Sequence, residues 1–189
     1  MIPKLNKKTT MPEGKWLELK KISYNDKTGK ERNWESAERV KCAGAVTIIA
    51  NLNPSGRLAL IRQYRPPADK YIIEFPAGLI DAGETPNSTA CRELLEETGY
   101  TGKIIKVCEA AFNSPGMTNE SVQIVLMEIN ENNEKNKNVT PRPEDSEDIE
   151  TILIPKSELA RFINRSIERG DGIDSKVMSF ALADEFPHA

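Results

Sequence analysis

The sequence predicts an α+β domain, with helices layered on a mixed β-sheet and a small antiparallel hairpin at its N-terminal end. Three observations carry that expectation. Apolar strand-like runs and helical stretches follow one another at short spacing through residues 41–189, the order of a sheet-and-helix domain. One helix carries its own start and stop signals, and two strand-like runs before residue 41 flank a turn signal. A chain of 189 residues fits one medium domain with a small appended piece, here residues 1–40, and can bury a sizeable core.

In chain order, Trp16 to Ile22 and Glu31 to Arg39 read as strands around the turn Asn25-Asp26-Lys27-Thr28-Gly29. That hairpin is too poor in apolar residues to stand alone in water, so it needs a partner surface. Ala45 to Ala50 reads as a buried strand, Asn51 to Gly56 as a turn, Arg57 to Tyr64 as a second strand and Tyr71 to Phe75 as a short third one. A helix follows Pro86, which is tolerated in a first turn, with Thr85, Asn87 or Ser88 as cap. It stops at Gly99, a residue suited to the left-handed turn after a helix. Lys103 to Ala111 and Ser121 to Ile129 are the next strands, joined by a turn at Asn113-Ser114-Pro115-Gly116. Asn130 to Ser146 is polar, with Pro141 and Pro143, and reads as a long mobile loop. A last strand near Asp148 to Ile154 precedes helices at about Ser157 to Arg169 and Ser175 to Asp184.

Composition excludes several function classes. A net charge of −3 gives no basic footprint for nucleic acid. No apolar run approaches the ~20 residues that span a membrane, and MIPKLNKKTT lacks the apolar core of a signal peptide, so a cytoplasmic protein is expected. Cys42, Cys91 and Cys108 lack metal-ligand spacing and read as reduced, partly buried thiols. His188 is the only histidine and stands next to the last residue, so the chemistry falls to carboxylates, Arg, Lys or metal.

Gly78 to Tyr100, GLIDAGETPNSTACRELLEETGY, carries that chemistry. Glu93, Glu96 and Glu97 stand at i, i+3 and i+4, which puts all three on roughly one face of the helix. Three carboxylates on one face are either a solvated surface or the seat of a cation, and oxygen ligands of this kind suit Mg²⁺ or Mn²⁺. The surroundings favour the cation. Gly78, five residues, Glu84, seven residues, Arg92-Glu93-Leu94, one residue, Glu96-Glu97, one residue, then Gly99 and Tyr100 resembles the Nudix box, the signature of enzymes that hydrolyse a nucleoside diphosphate linked to another group. Only the last position, usually aliphatic, departs.

The flanks Gln63-Tyr64-Arg65-Pro66-Pro67 and Ile73 to Asp81 resemble the ADP-ribose (ADP-sugar) pyrophosphatases. So do Glu13 to Trp16, Gly29-Lys30, Trp34-Glu35-Ser36, Pro155 and Val177 to Leu182, and the resemblance spans about residues 13–184. It implies the Nudix α/β/α sandwich and a homodimer whose N-terminal strands pack on the other subunit. It also implies that Trp16 and Trp34, one from each subunit, sandwich the adenine; the plainer reading makes both core or interface anchors. By the same match Glu35 accepts from the adenine amino group, while Arg39 and Arg65 hold the diphosphate or form surface ion pairs. Glu74 touches substrate or water, or makes a structural salt bridge.

The resemblance places Mg²⁺, with Mn²⁺ as a substitute, on Glu93, Glu97, Glu96 and the carbonyl of Ala77. It leaves Glu84 in the metal shell or ordering the loop, with Arg92 paired to Glu84 or Glu96. The general base falls on the loop before the last strand, at Glu147, with Glu144, Asp145 and Glu150 as rivals and a solvated acidic loop as the plain alternative. Relatives are glycine-rich there, whereas this chain has Glu144 and Ser146; Ser114 stands where relatives can carry an acid near the terminal ribose. The expected reaction is Mg²⁺-dependent hydrolysis of ADP-ribose to AMP and ribose 5-phosphate. The alternatives are a UDP- or GDP-sugar substrate, or a nucleotide-binding sensor without turnover.

Overall fold

The computed structural model describes residues 4–143 and 147–183, with side chains from residue 14 onward. Glu144, Asp145 and Ser146, and the chain from Asp184 on with His188, lie outside the described residues.

The N-terminal part is a three-stranded antiparallel sheet of β1 (Lys4–Glu13), β2 (Leu17–Asn25) and β3 (Glu31–Arg39). The β2–β3 hairpin matches the sequence expectation and turns at Asp26, whose carboxylate accepts from Thr28 and Arg32. Strand β1 is unexpected: its Lys- and Thr-rich text has no apolar alternation, and β2 supplies its pairing.

The second sheet has eight strands: β4 (Ala45–Asn53), β5 (Arg57–Arg65), β6 (Lys70–Glu74), β7 (Ala77–Leu79), β8 (Lys103–Phe112), β9 (Ser121–Asn130), β10 (Ile149–Pro155) and β11 (Gly172–Ile173). Parallel pairing of β4 with β9 and of β6 with β11 makes it mixed. Strand β5 pairs antiparallel with β10 along its length, with β4 at Leu58 and Ala59, and with β6 from Ile61 on. Among the described residues three α-helices cover the sheet: α1 (Pro86–Thr98), α2 (Leu159–Glu168) and α3 (Ser175–Leu182).

Alternation along the central strands builds a core on each face. Val46, Ile48, Ala50 and Leu52 of β4 meet Ala90 and Leu94 of α1 on one side. Leu58 and Leu60 of β5, with Ile73 and Phe75, meet Leu159, Ile163 and Val177 of α2 and α3 on the other. Residues two apart on a strand share a face, so a helix layer on each side follows from the sequence pattern. The outcome is the sandwich the resemblance implied.

The N-terminal sheet meets the second sheet at the turn between β8 and β9. Ala37 N–H donates to Met117 O at 2.9 Å, and Trp34 Nε1 donates to Gly116 O at 2.9 Å. The turn between β8 and β9 is therefore held by the N-terminal sheet.

Asn130 to Ser146, expected as a mobile loop, is pinned in its described first half. Asn136 is buried, accepts from Thr101 N–H at 2.8 Å and donates to the Asn130 and Thr101 carbonyls. A buried side-chain amide with its groups satisfied anchors a polar segment that composition alone reads as free. The three cysteines are free thiols, as expected, but Cys91 is exposed rather than partly buried. Among the described residues no helix is long and apolar enough to cross a membrane.

Candidate active site

The helix signals of the sequence act at both ends of α1. Thr85 Oγ1 accepts from Ser88 N–H at 3.2 Å and Ser88 Oγ accepts from Thr85 N–H at 2.9 Å, a reciprocal capping box. Gly99 closes the other end at φ 75°, the left-handed conformation glycine adopts without strain. Between them Leu94 and Ala90 bury against the sheet, so the helix is rotationally fixed and presents Arg92, Glu93 and Glu96 to a cavity of about 440 Å³.

Strands β4 and β7 form the opposite wall, with Thr47, Ala77 and Gly78. Gly78 has a structural reason to be glycine. A Cβ built there lies 1.7 Å from Glu93 Oε1 and 2.7 Å from Glu93 Cγ, so the carboxylate occupies the space a side chain would take. Arg39, Arg65, Glu74 and Glu147 line the same cavity, as do Asn113, Glu120 and Lys176.

The acids are not equivalent. Arg92 gathers three of them: it donates to Glu84 from Nε at 2.8 Å and from Nη2 at 2.9 Å, and its Nη1 reaches Glu93 at 2.7 Å and Glu96 at 3.0 Å. Glu84 also accepts from Thr89 Oγ1 at 2.7 Å and Asp81 N–H at 3.3 Å, and so orders the loop ahead of the helix. The Arg92 hydrogen bond, then that of Thr89, hold the Glu84 carboxyl down at about 2.

Glu97 is beyond the guanidinium's reach. It is 2% exposed and accepts from Ala77 N–H at 3.0 Å. Burial pushes its carboxyl up to about 9, with the nearby charges of Glu93 and Glu147 adding to the rise. Burial also raises Glu93. Glu97, buried and short of positive charge, and the half-buried Glu93 beside it are hard oxygen donors at the edge of the cavity, and such a pair fits a divalent cation. Among the described residues no three acids stand in ligating geometry, because Arg92 draws Glu93 and Glu96 toward the start of α1 while Glu97 turns to Ala77. Their positions at i, i+3 and i+4 of α1 give them a common face.

The two arginines expected to hold phosphate are engaged with acids. Arg65 makes a two-pronged pair with Glu74, Nε to Oε1 at 2.8 Å and Nη2 to Oε2 at 2.7 Å, and Glu74 thereby raises the arginine's pKa. Arg39 pairs with Glu120, which also accepts from Asn113 Nδ2 at 3.1 Å. Burial works to raise Glu120, but the Arg39 and Asn113 hydrogen bonds outweigh it and hold the carboxyl below its ordinary range. Glu147 accepts from the buried Gln63 amide at 3.5 Å, a long bond.

Three expected substrate contacts fall outside this cavity within one chain. Trp16 is 70% exposed, Trp34 is 51% exposed and borders a separate hollow with Phe112 and Met117, and Glu35 is exposed on β3 opposite Lys21. Conversely, Glu120, Asn113 and Lys176 line the cavity without having been singled out. Glu120 is an isolated acid, Asn113 reads only as a turn former, and Lys176 sits in the first turn of a distant helix, so no local pattern marks any of them.

A family model described as NUDIX domain matches residues 43–171. A mouse protein named ADP-sugar pyrophosphatase is 38% identical over 179 residues, which cover 90% of this chain and 82% of the relative. A Saccharomyces cerevisiae protein named ADP-ribose pyrophosphatase is 39% identical over 178 residues, 88% of this chain and 76% of the relative. Among solved structures, one described as an ADP compounds hydrolase superposes with a TM-score of 0.63 at 19% identity, covering 87% of this chain and 84% of that one, a likeness of fold.

Proposed function

We propose, from the premise that this chain belongs to the Nudix domain family, that it hydrolyses the diphosphate bond of ADP-ribose, and of other ADP-sugars, to give AMP and the sugar phosphate. The observation that carries the reading is one cavity faced by Glu93, Glu96, Arg39, Arg65 and Glu147, with buried Glu97 beside it. The names of the mouse and yeast relatives support the adenine substrate.

Glu93, Glu96, Glu97 and the carbonyl of Ala77 are the proposed seat of Mg²⁺, for which Mn²⁺ can substitute. An ion held by these groups would supply positive charge to offset the diphosphate and to make a nearby water more acidic. Arg65 and Arg39 grip the diphosphate, exchanging part of their pairing with Glu74 and Glu120 for phosphate oxygens. Glu147 takes the proton of the attacking water, and Glu74 keeps the Arg65 fork in plane. Arg92 orients Glu93 and Glu96 without touching substrate.

The N-terminal residues 1–40 are read as a dimerisation unit, with Trp16 and Trp34 of different subunits stacking the adenine and Glu35 accepting from its amino group. Trp34 is exposed on one face of the β2–β3 pair and Leu17 and Leu19 on the other, with Trp16 exposed just before β2, which leaves apolar surface that a partner can cover, because a sheet this short gains little by standing alone. A Yersinia pestis relative named GDP-mannose pyrophosphatase, 32% identical over 60% of this chain, favours testing a second substrate class.

The experiment is product analysis with ADP-ribose, UDP-glucose and GDP-mannose, each with Mg²⁺ and with EDTA. Metal-dependent AMP arising mainly from ADP-ribose is the expected result. UMP or GMP would move the substrate, and no product would leave a nucleotide sensor.

A further inference from the structure

The cations around the cavity are not equally available to a substrate. Acids outnumber them there, and each arginine of the lining is paired with an acid of the same lining: Arg39 with Glu120, Arg65 with Glu74, and Arg92 with Glu93 and Glu96. An arginine that turns fully to phosphate leaves a half-buried carboxylate behind it inside the site, and a charge stripped of its partner there is costly. Among the described residues, Lys176 is the one lining cation whose ion-pair partner stands outside the cavity.

Lys176 is the second residue of α3 and projects from a fixed base. Asp174 caps the helix, its Oδ1 accepting from Lys176 N–H at 2.8 Å, and its Oδ2 meets Lys176 Nζ at 3.0 Å. Asp174 N–H donates to Ile73 O at 3.0 Å, one residue before Glu74, and Val177 is fully buried in the second core. From this base the lysine side chain, 26% exposed, reaches the edge of the cavity. Its charge is felt at the opposite side: burial raises the Glu120 carboxyl, and Lys176 is among the groups that, with the Arg39 and Asn113 hydrogen bonds, bring it down. The helix backbone gives no reason for a cation here, because the first turn is the positive end of the helix dipole.

We infer that Lys176 is a further substrate-binding residue, whose ammonium turns from Asp174 to a phosphate oxygen of the substrate and so brings the cavity positive charge that none of its own acids cancels. The inference rests on the reading of this cavity as a diphosphate site. Lysine suits the task as a point charge on a flexible stem. When it leaves, Asp174 keeps the backbone N–H it accepts from, and no carboxylate is stranded inside the cavity.

Three variants separate this role from that of an ion pair that merely steadies the start of α3. Lys176→Gln is expected to raise KM for ADP-ribose about tenfold with kcat little changed, the pattern of a lost contact made equally before and during reaction. Lys176→Arg restores the charge and most of the affinity. Asp174→Asn keeps a cap acceptor but releases the ammonium, so its KM is expected to be no higher than the wild type's and up to about threefold lower. Melting temperatures of all three stay close to that of the wild type, since a part-exposed pair of this kind contributes little to folding.

A steadying ion pair makes the Lys176→Gln and Asp174→Asn variants alike, whereas contact with substrate drives them apart. KM raised equally in both, or a wild-type KM in Lys176→Gln while the wild type releases AMP from ADP-ribose, overturns the role of the lysine alone. A wild type that releases no metal-dependent AMP overturns the hydrolase reading and the lysine contact with it.

Discussion

Replacing Glu97 by Gln separates the two states of the proposed metal site. In the metal-free protein this carboxyl is 2% exposed, has the Ala77 N–H to accept from, and is pushed by burial from 4.5 to about 9. The folded pKa lies above the unfolded one, so folding holds the proton harder. The Glu97 contribution to stability is highest below pH 4.5, declines as pH rises, and stops declining above about 9. At about pH 7.5, some three pH units above the unfolded value, retaining the proton costs about 4 kcal/mol. Gln needs no proton and still accepts from Ala77, but it buries an amide NH₂ whose missing partners cost about 1–3 kcal/mol. In EDTA at that pH the variant is therefore more stable by about 1–3 kcal/mol, or about 3–10 °C in a chain of this size. At pH 5 the gain disappears or reverses. With Mg²⁺ the order inverts: the wild type gains stability through a bound ion, and the variant loses at least about a hundredfold in turnover. Thermal melts at the two pH values, with EDTA and with Mg²⁺, read all of this. An unchanged difference between pH 5 and 7.5 would refute the claim that a buried carboxyl is the strained group. Near wild-type turnover at saturating Mg²⁺ would show that Glu97 holds no metal.

Three further outcomes follow from the same geometry. Gly78→Ala places a methyl where the Glu93 carboxylate lies; a flexible side chain can swing away, so the melting temperature changes little while turnover falls about a hundredfold, as a melt and a rate measured together will show. Arg92→Lys keeps one charge but loses the fork that joins Glu84 to Glu93 and Glu96, and is expected to weaken Mg²⁺ activation about 10- to 100-fold in a metal titration. Trp16→Ala and Trp34→Ala raise KM for ADP-ribose about tenfold with a small effect on folding, since both rings are more than half exposed; unchanged KM in steady-state kinetics would remove the adenine sandwich and leave the hydrolase.

The elements whose signals are local were legible. Helix α1 starts and stops where Pro86 and Gly99 put it, and the turn at Asp26 to Gly29 closes the expected hairpin. Strands β1, β7 and β11 were not, because β1 has no apolar period and the other two are three and two residues long, so pairing rather than composition makes them strands. At the site, the spacing of Arg92, Glu93, Glu96 and Glu97 fixed a shared face, and the Arg92 pairing with Glu84 and Glu96 was foreseen. The pairing of Arg39 with Glu120 spans 81 positions, and that of Arg62 with Asp171 spans 109. Such contacts exist only once the sheet is assembled, and no window of sequence contains them.

The guanidinium of Arg92 gives the acid cluster a resident counterion. Glu84, Glu93 and Glu96 already have a positive partner before any metal arrives, and only Glu97 of the box acids sits outside its grasp. In proteins whose fold depends on a metal, removing the ion leaves nothing to hold the ligands and the chain unravels. Here the sheet cores and the arginine keep the scaffold in place, so under the proposed metal site chelation is expected to silence the protein reversibly, with turnover restored when the divalent cation returns: a passing fall in free cation would act as a pause, not as a route to degradation.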